Sequence, residues 1–575
     1  MTPEHNKFFS VWRVNVREQS FQQESVPESW LPLGGRSLLA RIMIDDMEHE
    51  CEPLGPKNKL IFAPGLLVGN SLSSCDRISV GGKSPLTGGV KEANAGGRTG
   101  LQIALLGIKA LIIEDQPEES GWWVMHVSAD GVRFDRADEL AGMGVYDVAD
   151  PLVEKYGKKV AIALIGPGGE MKMHGAGIQN IDLDGVPSRI AARGGLGAVM
   201  GSKGLKAIVF DGSGGAKPPL TDKKAFGAAR KAYTKALLAH PQTAVYKDFG
   251  TSAVARLAQA LGILPTRNFS SGEFDALESI SAEVLRQTLL DRKEMGCATS
   301  HACMAGCTIQ SSNVYVTIDG ETKVSPLEFE TIGLMGSNLD IGDLDAIARM
   351  NLVVNDLGLD CIEIGAALGV AADAGLMAFG DAKRALELLE EIRLGTALGR
   401  VLGNGAATTG KVYGVERVPA VKGQAMSAYD PRGLKGTGVT YATSAQGADH
   451  TCGLTIRAQI DHLKPEGQAE LSRESQYKMA AFDVLGACMF ASFGFGAAPE
   501  TIPALLNARY GWDVDEGILR ELGRESVMLE REFNKLAGFT AADDRLPEWM
   551  TREPLPPHNA VFDVPNEDLD NVFDF

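Results

Sequence analysis

The sequence has no apolar run near the ~18 residues needed to cross a bilayer, because Gly, Asp or Lys interrupts each one. No membrane span is therefore expected. The first ten residues, Met-Thr-Pro-Glu-His-Asn-Lys-Phe-Phe-Ser, carry no apolar signal core and no cleavage site, and a cytoplasmic location is expected. Basic charge is scarce: 56 Lys and Arg stand against 74 Asp and Glu, giving a formal net charge of -18. Binding a phosphate backbone needs a basic surface, so nucleic acid is excluded as a partner. A local basic patch would still admit a small electron carrier. Eight cysteines in 575 residues are too few for a disulfide scaffold. The CxxC pairs usual at zinc sites are missing. Neither GxGxxG nor GxxxxGK[ST] fits the glycine clusters, which speaks against dinucleotide and P-loop sites.

Glycine is abundant, at 67 residues. Many of these fall in short clusters between apolar runs, where the backbone must turn tightly or approach a ligand. The length suggests about three domains at ~100–200 residues each. Apolar runs at Leu60–Ala63, Leu111–Ile113, Val160–Ile165 and Ala207–Phe210 predict strands, so the first 211 residues read as strand-rich. A weak repeat lies within them. Gly96-Gly97-Arg98-Thr99-Gly100 opens a short helix that leads through Gly107 into Lys109-Ala110. About a hundred residues later, Arg193-Gly194-Gly195-Leu196-Gly197 leads through Gly204 into Lys206-Ala207. Gly212–Pro219 reads as a linker. Helical periodicity follows at 222–262, 344–378, 382–404, 465–490 and 514–537, with a second boundary near Lys411–Val421. The acidic, Pro-rich tail from Pro554 is expected to be extended or disordered.

Three constellations carry chemistry. The two glycine clusters before helices can form anion nests, where free N–H groups and the helix dipole meet; they can equally be tight strand–helix turns. Cys297-x5-Cys303-x3-Cys307, with Cys488 far away, is a thiolate set that suits an iron–sulfur cubane with a remote fourth ligand. Asn355-x-x-Gly358-x-Asp360 and Asp483-x-x-Gly486-x-Cys488 repeat one pattern: a helix ends at a glycine able to adopt the left-handed conformation, and polar side chains flank the corner.

Several segments resemble one family. Arg77 to Gly88 ends in Lys83-Ser84-Pro85-Leu86-Thr87-Gly88. Gly166-Pro167-Gly168-Gly169-Glu170 and Arg193 to Lys206 follow, and then Asp430-Pro431-Arg432-Gly433 and Tyr441 to His450. These match, in order, motifs of the aldehyde:ferredoxin oxidoreductases, over roughly residues 8–540. The resemblance implies an α+β protein, with an N-terminal β-rich pterin-binding domain (1–211) followed by two mainly α-helical domains. The first of these (212–415) holds the Cys cluster and the first pterin motif, and the second (416–575) holds the second pterin motif and the remote Cys.

The resemblance further implies a tungsten (or molybdenum) bis-pyranopterin, a 4Fe-4S cluster and a Mg ion bridging the pterin phosphates. Arg77, Asn94, Gly96, Arg193 and Gly194 match positions that hold the phosphates or the magnesium. Asn355, Asp360 and Asp483 match the motifs that grip the pterins, with Asn355 standing in place of the usual Asp. Cys303, Cys307 and Cys488 match cluster ligands, but Ser300 stands where the family has its first cysteine. Cys297 is the favoured replacement; Ser300 or His301 ligation, or a three-iron or missing cluster, are the alternatives. The dithiolene sulfurs supply the metal's ligands, so no protein thiolate on tungsten is required. Glu330 and His450 match the family's acid/base pair, with Glu328 as the fallback.

The implied function is oxidation of an aldehyde to its carboxylic acid, with ferredoxin or a ferredoxin-like subunit as acceptor, in a homo- or hetero-oligomer. One rival reading is a catalytic subunit that reduces an aromatic acyl-CoA or another substrate. A non-enzymatic rival is a cluster-less pterin-binding or assembly protein.

Overall fold

The computed structural model describes residues 3–573. Twelve strands form the N-terminal region: β1 (Ser10–Asn15), β2 (Ser20–Ser25), β3 (Leu60–Pro64), β4 (Ile78–Lys83), β5 (Val90–Ala95), β6 (Ile108–Glu114), β7 (Trp123–Ser128), β8 (Gly131–Arg136), β9 (Ala161–Leu164), β10 (Ile178–Ile181), β11 (Pro187–Ala191) and β12 (Leu205–Asp211). They make two six-stranded sheets, in the orders β2-β1-β6-β3-β4-β5 and β8-β7-β12-β9-β10-β11. The second order is the first with six added to every number. Strand sense repeats as well: β1 runs parallel to β6 and β7 parallel to β12, and the other neighbours are antiparallel. Each half also has a helix between its second and third strands, Gly35–Asp46 and Val145–Tyr156. Another precedes its last strand, Thr99–Leu105 and Leu196–Ser202. The glycine-cluster repeat in the sequence is thus the visible part of a duplication of the whole half.

The sheets stack face to face. Phe62, Leu111 and Ile113 of one meet Ala163, Ile208 and Phe210 of the other, and the Phe62 and Phe210 rings are 5.6 Å apart. Alternate residues Ile61, Ala63 and Ile112 point outward onto Gly35–Asp46, while Ile162, Leu164 and Val209 point onto Val145–Tyr156. Both faces of the central strands are covered, which explains why these strands read as unbroken apolar runs.

Beyond the coil at 212–222 the chain is mainly helical. The helix Lys223–Ala239 lies in the stretch expected to belong to the second domain, yet it packs on Ser492–Ala497 and Thr501–Tyr510. The Tyr233 ring stacks on Phe495 at 4.2 Å. The tail differs from expectation: Leu555, Phe562, Val564 and Leu569 are buried. Its acidic residues dominate the composition, but the apolar ones between them fill a core with Val439, Tyr441 and Met550. No single helix among the described residues is long and apolar enough to cross a membrane.

Candidate active site

Each half of the double sheet receives one helix corner. The helix Leu344–Asp356 ends at Gly358 (φ 68°), two residues before Asp360, which caps the helix Cys361–Asp373 by accepting from the Ile362 N–H at 3.0 Å. The helix Gln468–Leu485 ends at Gly486 (φ 75°), two residues before Cys488. The N–H groups of Leu66 and Leu67, just past β3, donate to the Val484 and Leu485 carbonyls, both at 2.9 Å. In the other half Gly168, just past β9, donates to Leu357 at 2.9 Å. A Cβ on Gly35 would lie 2.2 Å from the Asp483 carbonyl oxygen, and one on Gly144 would lie 2.0 Å from the Asp356 carboxylate. Only glycine admits such close approach.

Buried charges surround both corners. Beside the second corner, Arg36 grips Glu530 through two bonds of 2.6 and 2.8 Å and reaches Asp483 at 3.2 Å. Burial, then the Glu92 carboxylate, push the Asp483 carboxyl well above the usual range, while Arg36 and Arg77 oppose the shift. Arg77 bonds the Asn94 side chain through Nε and its carbonyl at 3.0 Å through Nη2, and its charge also reaches Cys488.

Beside the first corner, Arg193 binds Asp360 at 3.2 Å, the Ala448 carbonyl at 2.6 Å and the Ala425 carbonyl. Lys91 pairs with Asp449 at 2.9 Å, and both are almost fully buried. Burial alone would raise the Asp449 carboxyl, but Lys91, Arg193 and His450 hold it far below the usual range. Gly194 (φ 81°) lies against Lys91, whose side chain would meet a Cβ there at 2.4 Å. Asn355 reaches Asn351 at 3.4 Å, and its carbonyl accepts from Gln179, whose own oxygen is buried without a partner.

Glu330 and His450 meet near the first corner. His450 Nε2 is 3.5 Å from Glu330 Oε1, and Nδ1 is 2.7 Å from the Ser427 hydroxyl. Glu330 Oε2 accepts from the Ala428 N–H at 2.8 Å, while Oε1 is buried with no hydrogen bond. Leaving such an atom unpaired costs about 1–3 kcal/mol, which marks it as poised for a further partner. Burial raises the Glu330 carboxyl. Glu328 is turned away and bonds Thr251. Cys361 lies near Glu330, its thiol pushed up to about 12 by burial and then by Asp360.

Three cysteines converge on the other side. The Cys303 side chain lies beside Cys307 and is the main cause that brings the Cys307 pKa down to about 5. Ser74 Oγ lies 3.8 Å from Cys307 Sγ, and the Ser74 carbonyl accepts from the Cys488 N–H at 2.8 Å. The Gly97 N–H donates to the Cys303 carbonyl at 2.8 Å, and a Cβ on Gly96 would lie 3.7 Å from Cys303 Sγ, so the glycine nest and the cysteine loop are in contact. Cys297 is not brought to this group. It lies in a separate core, where its sulfur accepts from the Val316 N–H at 3.2 Å. The structure thus does not bring together the four thiolates that were expected: a strand pairing, Ala298 with Val314, lies between Cys297 and the loop. His301 is also committed, to Arg189 and Asp184 at 2.9 Å each. The thiol near Cys488 that sequence reasoning missed is Cys75, fully buried beside Tyr233. Arg36, Lys91, Ser427 and Asp449 were missed too. An arginine just after paired glycines, Gly34-Gly35-Arg36, was the available signal.

Two family profiles together span most of the chain. Residues 11–212 match the profile of the aldehyde ferredoxin oxidoreductase N-terminal domain, and residues 228–574 match that of domains 2 and 3. The chain is 32% identical to tungsten-containing aldehyde ferredoxin oxidoreductases of Thermococcus kodakarensis and Pyrococcus furiosus, over 95% of its length and 91% of theirs. It is 26% identical to the WOR-like subunit of an aliphatic sulfonate oxidoreductase of Pyrococcus furiosus, over 97% of this chain and 90% of that one. The fold is similar to a chain of the active site complex BamBC of benzoyl coenzyme A reductase in complex with 1,5-dienoyl-CoA. That match has a TM-score of 0.78 and 19% identity, over 94% of this chain and 91% of that one. The chain is an oxidoreductase and belongs to the aldehyde ferredoxin oxidoreductase family.

Proposed function

We propose that this protein oxidises an aldehyde to its carboxylic acid at a tungsten (or molybdenum) bis-pyranopterin, and passes electrons one at a time through an iron–sulfur cluster to ferredoxin or a ferredoxin-like subunit. The observation that carries the reading is the Glu330–His450 pair, with Glu330 Oε1 buried, without a hydrogen bond, and 3.5 Å from His450 Nε2.

The residues present fit the group. Two matching helix corners face two matching halves. Gln179 Oε1 is without a hydrogen bond at the Asn355 corner, and Arg77 and Arg193 bring to the two corners the positive charge that phosphate binding needs. Arg77, Asn94, Gly96 and Asp483 would hold one pterin, and Arg193, Gly194, Asn355 and Asp360 the other, and a Mg ion would offset the charge of the phosphates. Cys303, Cys307 and Cys488 would hold the cluster. When bound, the metal–pterin centre supplies the two-electron redox chemistry.

The chain's own residues supply positioning and proton transfer. Ser427 anchors His450 at Nδ1, which turns Nε2 towards the aldehyde oxygen. Glu330 Oε1 takes a proton from the water that adds to the carbonyl carbon. Its burial-raised pKa makes it a stronger base than a solvated glutamate. Arg193 fixes the Ala448 carbonyl, two residues before His450. Elemental analysis for W, Mo and Fe, an EPR spectrum of anaerobic protein and an aldehyde turnover assay together test the reading. Protein without W or Mo, or without aldehyde turnover when fully loaded, would overturn it.

A further inference from the structure

The helix Lys223–Ala239 carries Lys223, Lys224, Arg230, Lys231 and Lys235, and no acidic residue. None of these five cations makes an ion pair among the described residues. Asp222, at the helix start, is committed to the Lys224 and Ala225 N–H groups at 2.9 Å each. On a chain of net charge -18 this is a local reversal of sign.

The helix faces a cavity of about 690 Å³ lined by Arg230, Lys231 and Lys235 on one side, and by Ser73, Gly306 and Thr308 on another. Gly306 and Thr308 flank Cys307 in sequence, and Ser73 Oγ bonds Thr308 Oγ1 at 2.9 Å. On its inner face the helix places the Tyr233 hydroxyl on the Ser73 carbonyl at 3.0 Å. The cationic helix and the loop that carries Cys307 therefore line the same depression.

We infer that this cationic face is the docking surface for an acidic one-electron carrier protein, a small iron–sulfur protein of negative surface charge. The inference rests on the function proposed above. Rim charges chiefly set encounter rate and orientation, and the overall negative charge of the rest of the chain would repel the same carrier elsewhere. Orientation matters because the carrier's centre must come close to the Cys307 loop. The balance is RCHO + H2O + 2 oxidised carriers giving RCOOH + 2 H+ + 2 reduced carriers, one electron per docking event.

The test uses the holoenzyme and the triple variant Arg230→Glu/Lys231→Glu/Lys235→Glu, with a strongly acidic plant-type [2Fe–2S] ferredoxin immobilised as the probe. Surface plasmon resonance at low and at physiological ionic strength should show binding weakened about ten-fold or more in the variant, and a flattened salt dependence, because the steering charges are gone. Aldehyde oxidation with benzyl viologen should be unchanged, which shows that the variant is folded and loaded. Lys231→Gln/Lys235→Gln should give an intermediate loss. Carrier affinity and salt slope equal to wild type would overturn the inference. So would unchanged affinity with a shift in oligomeric state, which would make this face a contact between copies. Absence of dye-linked turnover in the wild-type holoenzyme would instead strike the proposed function.

Discussion

Gly65 and Gly486 lie so close that a Cβ on Gly65 would sit 2.0 Å from the Gly486 nitrogen. Both partners are backbone, so no side chain can swing aside. Gly65→Ala should displace the Asp483 corner, cost about 3 kcal/mol or more in urea denaturation, and lower bound pterin and metal together. Gly166→Ala, where a Cβ would lie 2.5 Å from the Leu357 carbonyl, should do the same at the other corner. Wild-type stability in both variants would show that the corners are not seated this tightly.

Glu330→Gln and His450→Asn should each lower kcat by about 10²-fold or more while W, Mo and Fe content stays intact. The base must be deprotonated, and burial raises its pKa. The acid limb of kcat/KM should therefore lie above the ordinary glutamate value of about 4.3, with activity falling as pH drops through it. An acid limb unchanged in Glu330→Gln would assign the proton transfer elsewhere.

Asp449→Asn leaves Lys91 buried without its counter-charge and weakens the environment of Arg193. Breaking a buried pair costs about 3–5 kcal/mol. The folded pKa is depressed, so the contribution of Asp449 is complete above its unfolded value of about 3.9 and is lost only as pH falls below it. Denaturation of wild type and variant at pH 7 should therefore show the full difference.

Cys303→Ala, Cys307→Ala and Cys488→Ala should each lose iron, read by metal analysis and the visible absorption of the cluster. Cys297→Ala should keep its iron, because that sulfur is bonded to Val316 in a different core. Iron loss in Cys297→Ala equal to that in Cys303→Ala would restore it as a ligand.

Part of this was legible in the sequence. The runs at Leu60–Ala63 and Ala207–Phe210 are strands because both of their faces are covered, which removes polar alternation. The helix corners could be read because Gly358 and Gly486 need positive φ, a local requirement that leaves a local mark. What could not be read depends on distant partners. The duplicated strand order shares only its glycine-cluster segment, since packing constrains volume more than identity. The seat of the helix Lys223–Ala239 is chosen by Phe495, more than 250 residues away in the chain. The tail looked unstructured because composition counts its acids, not the spacing of Leu555, Phe562 and Leu569. Cys297 looked close to Cys303 because six positions is a short count, but a strand between them turns it away.

The two helix corners share their turning glycine but differ at both flanking polar positions, Asn355 against Asp483 before it and Asp360 against Cys488 after it. Two positions after the turning glycine, one carries Cys488 and the other Asp360. A scaffold made from two copies of one unit is indifferent to direction. Placing a soft sulfur donor at one corner and a hard oxygen donor at the other ends that indifference. That difference in donor kind is enough to give the assembly a front and a back.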